Sequence, residues 1–295
     1  MSTSACDVLL IGAYRCDLVF TGLKDVPELG REIFSRDFAM LPGGALNLAL
    51  TLKKLGLWVQ WAADFGNDFF SQNMVSTARS AGLDDRFFRL HDYPIRRVHT
   101  LMTFILAESA LVTFADATPP ARITPLVEQT QPRCLLLHGL PPDSALLAAS
   151  AAVHAKGGKV LLDCADEPLD LQDEAVQAVL RTLDCLTLNE AAALRLTGCL
   201  DAESACGRLA RLTPLVVLQH SAGGASAQSG EYGWTEPAAP TQSAKPSHRR
   251  DDFCAGFVFS WLRGLSMPQC LRAGTLTAAN RGVNSAHDLL ARLSL

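Results

Sequence analysis

Apolar residues along the chain fall into two rhythms. Short unbroken runs (Asp7-Val8-Leu9-Leu10-Ile11-Gly12, then Cys134 to Leu140, Lys159 to Cys164, Cys185 to Leu188 and Leu215 to Gln219) have the length and punctuation of buried parallel strands. Longer segments carry a helical period. Leu48, Leu52 and Leu55 share a face that Gly56 closes, and Ser71 to Ala81 is closed by Gly82. Further helices are predicted at 143–156, 171–182 and 190–197, after the successive strands. The last stretch is nearly all helix: 251–263, with Phe253, Phe257, Trp261 and Leu262 along one face, then 267–279, then a short segment near 286–292. Trp58 to Phe65 adds one more strand before a turn. Such alternation predicts an α/β sandwich around a largely parallel sheet.

Two regions stand outside that alternation. Asp17 to Phe20 with Glu32 to Ala39 reads as strand, loop and a second strand with one open face, and Val98 to Phe114 reads as a hairpin turning at Glu108-Ser109. Together they predict a small sheet of their own. Leu215 to Gln219 is followed by a Gly/Ser-rich hairpin, and residues 226–247, rich in Ala, Ser, Pro and Gly, predict the most mobile loop. The first strand is not followed by a GxGxxG turn and helix, which argues against a classical NAD-binding domain.

Totals narrow the picture further. A chain of 295 residues, 48% hydrophobic, can bury a substantial core. Its net charge of −4 gives no support for electrostatic binding to nucleic acid or to an anionic membrane. No apolar run reaches membrane-spanning length and the N-terminus lacks the pattern of a signal peptide, so a cytoplasmic protein is expected. Nine cysteines, at 6, 16, 134, 164, 185, 199, 206, 254 and 270, form no CxxC pair or Cys/His cluster. They read as buried reduced thiols, and no metal ligand is assigned.

Two stretches carry candidate chemistry. Gly43-Gly44 precedes a helix with Asn47 in its first turn, so free N–H groups and an amide could meet a ligand that approaches the backbone closely. A Gly-Gly turn beside a solvated Asn accounts for the same residues. Late in the chain, Asp251 opens a helix just after Lys245, His248, Arg249 and Arg250. A carboxylate at a helix start beside a basic loop suits phosphate binding and proton abstraction, although Asp is also an ordinary N-cap.

Taken together, these stretches resemble the ribokinase-like (PfkB) carbohydrate kinases, and the likeness runs the length of the chain. Gly43, Gly44, Ala45, Asn47, Ala49, Gly56 and Gly66 match the family's first signature in full, and Asp251, Phe253, Ala255, Gly256 and Phe257 match the back half of its second. The resemblance implies a single three-layer α/β/α sandwich over 1–295, built on a mostly parallel sheet, with a β lid from strands near 13–40 and 96–116. It implies Asp251 as the general base. It places Asp17, Gly43, Gly44 and Asn47 on the sugar, and Asn189, Gln219 and Gly224 with the nucleotide and its phosphates. It also implies ATP and Mg²⁺, and the open edge and apolar face of a lid suggest a homodimer paired through it.

The chain departs from the family pattern in the phosphate half. His248-Arg249-Arg250 stand where the family has its Gly-Ala-Gly anion hole, Ala192 stands at the Glu position of Asn-x-x-Glu, and Gln219 and Ser221 replace the usual Thr and Gly. Arg249 and Arg250 bring guanidinium groups to the same spot, where they could replace backbone donors or pair with Asp251 and lower its basicity. Leu137-His138-Gly139 lacks the Glu that some sugar-kinase relatives carry. Three readings stay open: an ATP-dependent sugar kinase, a nucleoside kinase, and a catalytically silent relative that binds a sugar as a sensor or regulatory protein.

Overall fold

Successive residues of the first strand, β1 (Val8–Gly12), point into two different cores: Val8 and Leu10 into one, Leu9 and Ile11 into the other. A strand buried on both faces is mostly apolar, which is why β1 and the interiors of β8 (Cys134–His138) and β9 (Lys159–Cys164) read as unbroken runs. The computed structural model describes residues 6–105, 109–139, 144–164, 170–240, 249–279 and 283–293.

Nine strands form the main sheet, in the order β13-β12-β11-β10-β9-β8-β1-β4-β5. The others are β4 (Val59–Phe65), β5 (Phe88–Leu90), β10 (Cys185–Asn189), β11 (Val216–Gln219), β12 (Ala225–Ser229) and β13 (Tyr232–Glu236). All pair in parallel except β12 and β13, which close one edge as an antiparallel hairpin. On one face lie α1 (Ala45–Lys54), α2 (Phe69–Ser80), α8 (Arg249–Trp261), α9 (Met267–Ala278) and α10 (Ala286–Arg292). On the other lie α3 (Ile123–Thr130), α4 (Ser144–His154), α5 (Glu174–Leu180), α6 (Glu190–Thr197) and α7 (Ala202–Leu209). This is the expected three-layer α/β/α sandwich.

A second, four-stranded sheet has the order β3-β2-β6-β7, from β2 (Tyr14–Leu23), β3 (Asp37–Gly44), β6 (Arg97–Phe104) and β7 (Ser109–Ala115). The predicted 98–114 hairpin is thus a real antiparallel pair, with Glu108 at its turn outside the described residues. The Glu32–Ala39 strand needs correcting. Its alternation has no buried face, since Phe34 is 77% exposed, and the ladder with β2 runs instead from Asp37 to Gly44. Gly43-Gly44 is therefore the end of a strand, not a free turn, and Gly44 at φ 63° caps α1.

Three further expectations shift. Residues 226–236 of the predicted mobile loop are the β12–β13 hairpin, while 241–247 lie outside the described residues. Helix α8 begins at Arg249, so Arg249 and Arg250 occupy its first turn and not a loop before it. Arg250 is drawn down by Asp163, whose Oδ2 accepts from its Nη2 at 2.9 Å. Elements α3, α7 and β5, of eight, eight and three residues, are additional to those expected from the sequence. No helix among the described residues is long and apolar enough to cross a membrane. Eight of the nine cysteines are buried, and Cys199 is half-buried.

Candidate active site

Parallel strands all deliver their C-terminal ends to one edge of the sheet, and there the polar residues collect. Gly12 of β1 faces His138 of β8, His138 faces Asp163 of β9, and Asn189 of β10 faces Gln219 of β11. Asp251 arrives on the same edge from the first turn of α8. Asn47 comes from the first turn of α1, the helix packed beside it.

Asn47 Nδ2 donates to Asp251 Oδ2 and to Asp252 Oδ1, both at 3.4 Å, and so joins the Gly-Gly helix to the late helix across two hundred residues of chain. His138 Nε2 lies 3.3 Å from Asp251 Oδ1 and 3.5 Å from Asp163 Oδ2. Burial pushes the Asp251 carboxyl up. The His138 contact and the charges of His138, Arg15 and Arg250 more than offset this, holding it below the ordinary carboxylate range. His138, Asp163 and Asp251 present ligand atoms within 4.8 Å of one another. Arg250 already neutralises Asp163, so this cluster reads as carboxylates balanced by cations and not as a metal centre.

A cavity of about 140 Å³ opens in front of the cluster, bounded by Arg15, Gly44, Arg97, Phe114, His138 and Arg250. Asp251 is only 3% exposed and stands behind His138 and Arg250, not on the wall. Asp17, expected at the sugar, does not line this cavity. It is fully covered, its oxygens take Arg15 Nε at 2.5 Å and Arg15 Nη2 at 3.1 Å, and His99 Nδ1 lies 3.4 Å away. A Cβ on Gly43 would sit 2.6 Å from both Asp17 oxygens, so a glycine is required for this carboxylate to hold its place. What the arrangement presents to the cavity is Arg15. Despite burial, the His99 and Arg15 contacts keep Asp17 ionised below the usual range.

A second cavity, of about 390 Å³, lies beyond Arg250. It brings together Asn189, Gln219, Gly224, Arg249 and Arg250, every residue that the sequence assigns to the nucleotide. Gln219 Nε2 is buried there without a hydrogen-bond partner, a donor that a bound molecule would satisfy. Gly224 has φ 80°, and a Cβ on it would meet Glu236 O at 2.6 Å, so the loop can take this path only with glycine. An orphaned donor, a glycine loop and two arginines fit a polyphosphate nucleotide. They do not fit a protein-held Mg²⁺: the walls carry no carboxylate among the described residues, and Asn189 Oδ1 already accepts from Ala192 N at 2.7 Å to cap α6.

Asp252 is the neighbouring acid with the opposite perturbation. Burial, with Asp251 adding to it, raises its pKa to about 6, against the bonds from Thr51 Oγ1 at 2.8 Å and from Asn47. The folded state then holds this proton more tightly than the unfolded chain. Its contribution to stability is full below the unfolded value of 3.8 and is lost as pH rises through about 6. Chemical denaturation of Asp252→Asn against the parent should show this loss between pH 4 and 6.5 in the parent alone. A difference that is flat with pH would refute it.

Of the residues that sequence reasoning singled out, Asn47 and Asp251 meet directly, and the five nucleotide candidates share one cavity. Arg15, His99 and Asp163 were not read as site residues. A signal existed for Asp163: a carboxylate closing an otherwise apolar run, Val160-Leu161-Leu162-Asp163. Buried acids of that kind need partners.

The pfkB family carbohydrate kinase model matches residues 8–281. The chain belongs to that family. Among solved structures it is similar to the ribokinase of Arabidopsis thaliana, solved with ribose and ATP (TM-score 0.78, 19% identity, 99% of this chain and 100% of that one). It is also similar to the nucleoside kinase of Methanocaldococcus jannaschii (0.75, 15%, 99% of each). A third likeness is to the adenosine kinase of Sinorhizobium meliloti (0.72, 20%, 93% of each). At these identities what is shared is the ribokinase-like fold. No curated protein matches the chain.

Proposed function

We propose that the protein is a kinase that transfers the γ-phosphoryl group of ATP to a hydroxyl of a sugar or nucleoside, with Asp251 as general base. One observation carries this reading: Arg250, adjacent in sequence to Asp251, lines both the smaller cavity and the nucleotide cavity. Acceptor and donor would therefore meet at that side chain, with the carboxylate beside it.

Bound in the larger cavity, ATP supplies the phosphoryl group. Arg250, fixed by Asp163, places a guanidinium where negative charge accumulates on the transferring group, a role that planar bidentate donors fill well. Arg249 adds a second charge on the nucleotide side. Asn47 orients the Asp251 carboxylate, and His138 covers it until an acceptor hydroxyl takes the place facing Oδ1. The proton then passes to Asp251 as the oxygen attacks. Gly44 and Arg15 contact the polyol, and Gly43 and Asp17 act behind them by setting Arg15. Any Mg²⁺ would arrive on the phosphates.

The cover over Asp251 favours a second reading, a ligand-binding relative without turnover. Coupled ADP-release assays over sugars and nucleosides, run beside thermal-shift scans with ATP·Mg, separate the two. Saturable stabilisation by ATP with turnover supports the kinase, whereas sugar binding with no ATP effect supports the silent relative.

The small sheet serves as the lid over the acceptor in this reading. Its edge strand β7 exposes Leu111 and Val112 by 59 and 60%, and pairing two lids edge to edge would cover them. Light scattering after gel filtration should give a dimer mass, reduced to a monomer by Val112→Lys. The burial of eight of the nine thiols accords with a reducing cytoplasm.

A further inference from the structure

Arginines also collect at a third cavity, beside the two described above. A cavity of about 370 Å³ sits at the ends of β1, β4 and β5, on the α3 side of the sheet. Four arginines line it (Arg86, Arg89, Arg97 and Arg122) against a single carboxylate, Asp64. A chain with net charge −4 has thus gathered cations at one concave site.

Two of the four are already balanced. Arg89 Nε pairs with Asp64 Oδ1 at 2.8 Å, and Asp64 also takes His91 at 2.7 Å; Arg86 Nε pairs with Asp84 at 2.6 Å. Arg97 is not. Among the described residues its hydrogen bond is to the hydroxyl of Thr118, at 3.0 Å, and it makes no ion pair. Its Nε is buried with no partner. Asp116, the other nearby acid, is held by Arg96 at 2.9 Å. Burial pushes the Arg97 pKa down, and the charges of Tyr14, Asp64 and Asp116 only partly offset it. A desolvated guanidinium with an unsatisfied donor is costly unless an anion completes it. Arg122, at the start of α3, is exposed at the rim.

This cavity adjoins the acceptor cavity: Ala13, Arg97 and Gly139 line both. A molecule seated before His138 and Asp251 can therefore extend past Arg97. The volume exceeds what one small anion fills, so the group that Arg97 meets is the tail of a larger acceptor.

We propose that Arg97, with Arg122 at the rim, forms an anion subsite for the acceptor, whose class is a sugar carrying a phosphate ester or a carboxylate remote from the hydroxyl that reacts. The proposal rests on the acceptor position argued above. Guanidinium recognises either anion through paired N–H donors, and the salt-screened remainder comes from the arginine cluster as a whole.

The test is binding, read by thermal shift and calorimetry on the full chain without nucleotide. The probes are matched pairs, ribose against ribose 5-phosphate and glucitol against gluconate, with adenosine as a neutral large molecule. The anionic member of at least one pair should bind about tenfold or more tightly than its neutral partner. Arg97→Gln and the exposed Arg122→Gln should each remove most of that difference, and in Arg122→Gln, which lies outside the acceptor cavity, neutral sugar binding should persist. Which pair responds distinguishes phosphate from carboxylate. Equal binding of neutral and charged members, tighter binding of adenosine than of either anion, or an undiminished preference in both variants would overturn the proposal. Adding ATP·Mg to the same samples separates the two ideas. Anion binding with no ADP released leaves the subsite standing and removes the kinase, whereas turnover confined to neutral acceptors does the reverse.

Discussion

Asp251→Asn lowers kcat by about 10²–10⁴, the usual contribution of a positioned general base, with little change in KM. The substitution keeps the shape of the side chain in a site where Asp251 is 3% exposed, so Asn47 and His138 retain a neighbour and the fold stands. Only the basicity goes. Against burial, the His138 contact and the charges of His138, Arg15 and Arg250 hold the Asp251 pKa below the ordinary 3.8, so the base stays ionised down to that range and the acid limb of kcat/KM should fall below it. Steady-state kinetics with circular dichroism as a control checks both statements. A variant within threefold of the parent kcat would show that the proton leaves by another route.

Phe257→Ala should cost about 3–5 kcal/mol, the range for emptying an aromatic site in a closed core. Phe257 is fully buried and lies between Phe253, with centroids 6.4 Å apart, and Trp261, at 6.1 Å, in a row down one face of α8. The row seats α8 against α1 and α9, so the helix cannot collapse into the void without moving its first turn, where Asp251 stands. Midpoints should drop by on the order of 10 °C, at about 2–4 °C per kcal/mol for a chain of this class. Differential scanning calorimetry reads this directly. A loss below 1 kcal/mol would mean that the row is not what seats the helix.

The sandwich was legible because its central strands are apolar on both faces and its helices carry a clean period, as Leu48-Leu52-Leu55 and Phe253-Phe257-Trp261 illustrate. The edges were not. Residues of β3 are half solvated, so Phe34 and Ile33 imitate an alternation that the ladder does not use, and the ladder's true end at Gly44 is set by pairing with Tyr14. The start of α8 was misplaced for a related reason. Arg249 and Arg250 look like loop residues until Asp163, nearly ninety residues earlier, supplies a partner. Asp163 and Arg15 act only through three-dimensional neighbours, and no spacing along the chain announces them. Asn47 and Asp251 were within reach because each sits at a helix start beside residues of unusual type. Their meeting at 3.4 Å required the fold.

The cysteines have a use of their own. Eight of nine thiols are sealed from solvent, and burial pushes those of Cys6, Cys134 and Cys270 up to about 12, far from the reactive thiolate. A colourless disulfide reagent that turns yellow on reaction would therefore titrate Cys199 at once and reach the rest only as the molecule opens. The chain carries, without any label, a built-in clock for its own opening.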